Sequence, residues 1–130
     1  MSRENVEVAR ATYAQFARGD FTFVREFGDD FELVTSPENP DAGTYRGDAA
    51  RQWLLAWAGS FDQFTMEATD IVDAGDKVLV AVLQRGRPHG SETVMEGRWW
   101  QVLTFRGGEP ARSEMFADRA AALEAAGLSA

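Results

Sequence analysis

Two stretches of this chain are apolar on both of the faces that a strand presents. In KVLVAVLQ, residues 77–84, Val78, Val80 and Val82 alternate with Leu79, Ala81 and Leu83. In RWWQVLTF, residues 98–105, Trp100 and Val102 alternate with Trp99, Leu103 and Phe105. Successive side chains of a strand point to opposite sides, so these segments predict a sheet that must be covered on both faces. Helices can cover one side. The other needs a further layer, and a second copy of the chain is the simplest source of one.

The remaining punctuation places those strands in an α+β order. Turn signals at DAGD (73–76), RPHGS (87–91) and RGGE (106–109) divide residues 61–118 into FDQFTMEATDIV, KVLVAVLQRG, ETVMEGRWWQVLTF and PARSEMFA. Short turns between long segments predict an antiparallel meander. Upstream, Val6, Ala9, Tyr13 and Phe16 form the stripe of a helix that Ser2 could cap and Gly19 ends. Asp20 then opens a short second helix with Phe23, Val24 and Phe27 on one face, closed by Gly28, Asp29 and Asp30. FELVT (31–35) reads as a strand, and SPENPDAGTYRG as a loop. A third helix, capped by Asp48, buries Ala50, Trp53, Leu54 and Trp57 before Gly59 and Ser60 break it; Asp118 caps a last one, RAAALEAA, stopped by Gly127. With no internal repeat or linker, residues 1–130 read as a single domain.

Composition removes several classes of function. At 130 residues the chain can bury a core without staples, and with no cysteine it has no disulfide, thiolate ligand or cysteine nucleophile. Its net charge of −8 leaves no Lys/Arg cluster to track a phosphate backbone, so nucleic acid is not expected as a partner. MSRENVEVAR lacks the apolar core of a signal peptide and nothing approaches the length of a membrane span, so a cytoplasmic protein with no membrane partner is expected. His89, the only histidine, falls in a turn with Pro88 and Gly90, and no metal site is expected.

The order helix, helix, strand, helix and four long strands is marked by YAQFARGDF, DDFELVTSP, GTYRGDAARQWL, DAGDKVLVAV and FADRAAALEAAG. It resembles the NTF2-like superfamily, in its SnoaL-like and ketosteroid-isomerase-like branch, over essentially the whole chain. The resemblance implies an NTF2-like cone: a curved antiparallel sheet wrapped by three N-terminal helices, with a short C-terminal helix. It also implies a pocket between the concave face and the helices, and commonly a homodimer across the convex face. Members range from isomerases, cyclases, dehydratases and epoxide hydrolases to binding proteins without chemistry, so function has to be argued from the site.

The resemblance assigns a hydrogen-bond donor to Tyr13. Counting from Asp30 brings the family's base position to Thr35, followed by Ser36 and Pro37, and counting back from Phe105 brings its acidic partner to Gln101. Threonine is no carboxylate, and glutamine donates a hydrogen bond at any pH without giving up a proton. Tyr13 and Gln101 could still polarise a carbonyl. A base could come from Glu32 or, better, Glu114, whose proton affinity would rise against an apolar cavity; the competing reading of Glu114 is a cross-strand ion pair with Arg98 or Arg112. Arg98 lacks flanking aspartates for epoxide hydrolysis.

The aromatic residues suggest a lining for a flat or cyclic guest. Trp53 and Trp57 on one helix, Trp99, Phe16, Phe27 and Phe116, together with Thr35 and Leu103, are the candidate ligand-binding residues, with plain core packing as the competing role. Two functions remain open. One is a cofactor-free isomerase, cyclase or dehydratase that moves a proton on a small hydrophobic or polyketide-like molecule, with Tyr13, Gln101 and Glu114 as its polar groups. The other is a non-catalytic ligand-binding or dimerisation module of the same fold. A buried carboxylate beside Tyr13 favours the first, and a cavity without titratable side chains the second.

Overall fold

The computed structural model describes residues 2–36 and 42–128. Helix α1 (Ser2–Phe16) buries Ala9, Tyr13 and Phe16 of the predicted stripe, with Val6 half-buried and Asn5 and Thr12 buried beside them. It ends before Gly19, where φ is +79°, and Asp20 opens the next element by accepting hydrogen bonds from the Thr22 amide (3.0 Å) and hydroxyl (2.7 Å). That element is a 3-10 helix, Thr22–Glu26, instead of an α-helix. At three residues per turn it aligns Phe21, Val24 and Phe27, not the predicted Phe23, Val24 and Phe27. Phe23 meets Phe27 edge-on, with ring centres 6.0 Å apart.

Strand β1 (Glu32–Val34) falls within FELVT and pairs antiparallel with β2 (Thr44–Arg46), which the sequence assigned to a loop. Pro37 and Pro40 of that loop lie outside the described residues. Helix α2 (Asp48–Gly59) is capped differently from the expectation: Gly47 holds the cap position and no side chain caps it. Asp48 is the first helical residue, and its carboxylate is engaged by Gln52 at 2.8 Å and Arg51 at 3.7 Å. Ala50 is fully buried, while Trp53, Leu54 and Trp57 are half-buried.

The four long segments form the predicted meander: β3 (Phe61–Ala74), β4 (Lys77–Pro88), β5 (Met95–Arg106) and β6 (Glu109–Phe116). The curved sheet runs β2-β1-β6-β5-β4-β3, and because β1 lies parallel to β6 it is mixed, not purely antiparallel. Val78, Val80, Val82, Leu103 and Phe105 face inward onto α1. Leu79 and Val102 face outward, where helix α3 (Arg119–Ala125) covers them with Ala122 and Leu123. Part of the second apolar face is therefore closed by the chain's own last helix, a cover the strand pattern alone assigned to a partner.

Asp118 caps α3 as expected, its Oδ2 accepting from the Ala121 amide at 3.2 Å. An Asp118→Ala variant should lose about 1 kcal/mol, the usual worth of such a cap. A lower urea midpoint with an unchanged slope is the reading that checks it.

Candidate functional site

The inward side of the sheet, α1, the 3-10 helix and α2 enclose a cavity. Strand parity decides what β5 shows it: Trp99, Gln101, Leu103 and Phe105 point in, and Trp100 and Val102 point out. From β6, Ser113 and Met115 point in. The free space is about 40 Å³, room for roughly three waters at about 10–15 Å³ of such volume each. A larger guest needs the wall to give, and Phe27, Leu54 and Trp57 are among its half-buried members.

One hydrogen-bonded chain crosses this apolar interior. The Tyr13 hydroxyl donates to Gln101 Oε1 at 2.5 Å, and Gln101 Nε2 donates to Ser113 Oγ at 2.5 Å. Tyr13 is 2% exposed and Ser113 1%. Once the amide is oriented this way, its second hydrogen and the Ser113 hydroxyl hydrogen remain for an oxygen on a guest. Burial pushes the Tyr13 phenol far above its ordinary value, so it stays neutral across the physiological range. Trp99 is held over the cavity by its Nε1–H, which donates to Gln84 Oε1 at 3.0 Å; Trp57 packs against it with ring centres 5.8 Å apart.

Tyr13, Gln101, Phe16, Phe27, Trp57, Trp99 and Leu103 therefore share one wall system, while four other candidates lie elsewhere. Glu114 is opposite Val102 on the outer face, where Arg112 lies 3.6 Å from it and also binds Glu32 at 3.1 Å. Glu114 is therefore in an ion pair, but along its own strand, and it is Glu32 that Arg112 reaches across strands. Phe116 is on the same outer face, packed into the cluster around α3. Trp53 packs, tilted, between Tyr45 (6.0 Å) and Trp57 (5.4 Å) without lining the cavity. The Thr35 hydroxyl is taken up by Gly43, whose amide donates to it at 3.0 Å. His89 sits in its turn, Nδ1 2.9 Å from Asp62, and Arg98 is exposed.

The reason for the Glu114 and Phe116 corrections is a β-bulge. Beyond the turn at 107–108, Phe105 pairs with Pro110 but Thr104 pairs with Arg112, so Ala111 is skipped. Regular pairing would set Glu114 opposite Gln101, facing the cavity; one extra residue exchanges the faces of everything after it. Ser113 and Phe21 are among the lining residues that were missed. Pro110 is the sole hint of the bulge in the sequence, since proline within a strand marks an edge or a bulge.

Among the described residues, no side chain lining the cavity is a carboxylate, imidazole, amine or guanidinium, and Tyr13 is the one titratable group there. Among the described residues, no group of three or more His, Asp or Glu is arranged to hold a metal ion, and no helix is long and apolar enough to cross a membrane.

A family model described as the SnoaL-like domain matches residues 9–113. A search of curated proteins found no match. Among solved structures, the chain is similar to a hypothetical protein with a ketosteroid isomerase-like fold from Catenulispora acidiphila DSM 44928, in complex with trimethylamine. Identity is 20% over 95% of this chain and 94% of that one, with a TM-score of 0.70. It is similar to TerC co-crystallised with polyporic acid, at 22% identity over 95% and 98% of the two chains and a TM-score of 0.71. A structure described as a SnoaL-like polyketide cyclase from Jannaschia sp. CCS1 matches at 15% identity over 99% and 95%, with a TM-score of 0.67. At these identities the likeness carries the fold.

Proposed function

Because the chain belongs to the SnoaL-like domain family, we propose that it holds one small, mainly apolar ring compound of polyketide-like character by a single carbonyl or hydroxyl oxygen. It does so as a binding pocket, without acid/base chemistry from its own side chains. The observation that carries this reading is the cavity's polar content: a neutral Tyr13–Gln101–Ser113 chain and, among the described residues, no carboxylate. Isomerisation of the ketosteroid kind needs a carboxylate base placed at the reacting carbon. Here Thr35 and Gln101 stand at the acidic positions that the resemblance implied, and Glu114 is across the sheet. The aromatic wall of Phe27, Trp57 and Trp99 suits a flat guest, and the polyporic acid bound to TerC supports that class of ligand.

A thermal-shift comparison of cyclohexanone, phenol and toluene tests the reading. The two oxygen-bearing rings should stabilise the protein more than toluene, since ligand binding to the folded state raises its midpoint in proportion to occupancy. Gln101→Leu should remove the difference. Absence of any shift with all three would overturn it. Glu114→Gln, by contrast, should leave ring affinity within about twofold, as expected for a half-exposed ion pair remote from the guest. A large loss there would return Glu114 to the site.

A second reading is favoured by the short Tyr13–Gln101 hydrogen bond. Donors of this kind can polarise a carbonyl, which makes a cofactor-free isomerase or cyclase feasible if the guest or solvent provides the base. Turnover lost in Tyr13→Phe with binding retained would select it.

A further inference from the structure

The cavity's wall is shared, at Phe21 and Ala58, with an open hollow of about 530 Å³ between the end of α1 and the start of β3. Arg18, Gln63 and Thr65 line its outer part, and among the described residues no carboxylate does. Two other hollows meet the cavity, one through Phe31 and Pro110 and one through Phe105. The first carries Asp29, Asp30 and Glu109 beside Arg106, and the second carries Glu4 and Asp76.

Two acids near this segment in the chain, Asp20 and Asp62, have hydrogen-bond partners of their own. Asp20 accepts both hydrogen bonds from Thr22, and Asp62 is held by His89 at 2.9 Å and Arg87 at 3.6 Å. Arg18 acts on Asp20 only at longer range, and among the described residues it forms no ion pair. Gln63 stands beside it with φ at +55°, a conformation few non-glycine residues adopt, where the β3–β4 register slips between Asp62 and Thr65. An exposed guanidinium that forms no ion pair among the described residues, next to an amide donor and one aromatic side chain away from an apolar cavity, suits an anion carried on an apolar body.

We infer that the natural ligand is an amphipathic carboxylate, its ring in the cavity and its acid group at Arg18 and Gln63. This rests on the pocket reading above and adds the ligand's charge to it. The probes are two matched pairs: 3-phenylpropanoate with 3-phenylpropan-1-ol, and 4-phenylbutanoate with 4-phenylbutan-1-ol, titrated by calorimetry. At least one acid should bind about fivefold tighter than its alcohol, the upper range for a solvent-exposed pair. That preference should vanish in roughly molar salt, and Arg18→Gln should bring the acid to the alcohol's affinity. If the alcohols bind and the acids bind no tighter, or if Arg18→Gln keeps the preference, the assignment of Arg18 is overturned while the pocket reading stands. If neither acids nor alcohols bind, the pocket reading falls and this one with it.

Discussion

Gly47→Ala should lose about 3 kcal/mol of stability, the combined effect of a forbidden backbone conformation and an overpacked neighbour. Gly47 caps α2 at φ +57°, ψ −122°. A Cβ there would lie 2.6 Å from the Asp29 carbonyl oxygen and 3.3 Å from its carbon. These are backbone atoms, so no side chain can swing aside. Shifting Gly47 instead would break the bond from its amide to the Phe31 carbonyl (2.8 Å) and that from the Arg51 amide to its own carbonyl (3.1 Å). Arg51 pins the same junction, donating to the Phe27 carbonyl at 2.5 Å and to Asp29 at 3.1 Å. Gly75→Ala is the natural comparison: its φ is +81°, but open space surrounds its would-be Cβ, so the loss should be only about 1 kcal/mol. Equal urea midpoints for the two variants would mean that the entry to α2 is built differently. Because α2 carries Leu54 and Trp57, the Gly47 variant should also lose ring binding.

The Tyr13–Gln101 pair should show the strongest coupling in the molecule. Tyr13→Phe strands Gln101 Oε1, and Gln101→Leu strands the Tyr13 hydroxyl; a buried polar group left without a partner costs about 1–3 kcal/mol. The double variant leaves an apolar surface with neither group to satisfy, so its loss should fall short of the sum of the singles by about 1–2 kcal/mol. Ser113 limits the recovery, because Gln101→Leu also removes its amide partner. A double-mutant cycle by chemical denaturation measures this, and strictly additive losses would mean that the two side chains do not share a hydrogen bond in solution. Each single variant should also erase the preference for an oxygen-bearing guest.

Much of the architecture could be read from local chemistry. Turn residues fixed the four-strand meander, and the three-and-four spacing of Ala9, Tyr13 and Phe16 gave the inward face of α1. Tyr13 and Gln101 reach the same cavity on the count the resemblance provided. What escaped were features set by pairing across the sheet. β2 is three residues long and exists because it pairs with β1; nothing in TYR alone marks it as a strand. In β6, Arg112, Ser113, Glu114, Met115 and Phe116 mix polar and apolar residues on both parities, so only the bulge at Ala111 decides which face is wet. The 3-10 helix differs from an α-turn by a fraction of a residue per turn, enough to exchange Phe23 for Phe21 in the wall.

Diffraction from crystals held under xenon asks whether the space between sheet and helices accepts a guest, since dry apolar cavities take up this atom. Xenon should appear between Tyr13, Trp57 and Leu103, inside the wall. Xenon confined to the surface hollows, with the interior vacant at saturating pressure, would contradict a binding pocket and leave these aromatic side chains as core alone.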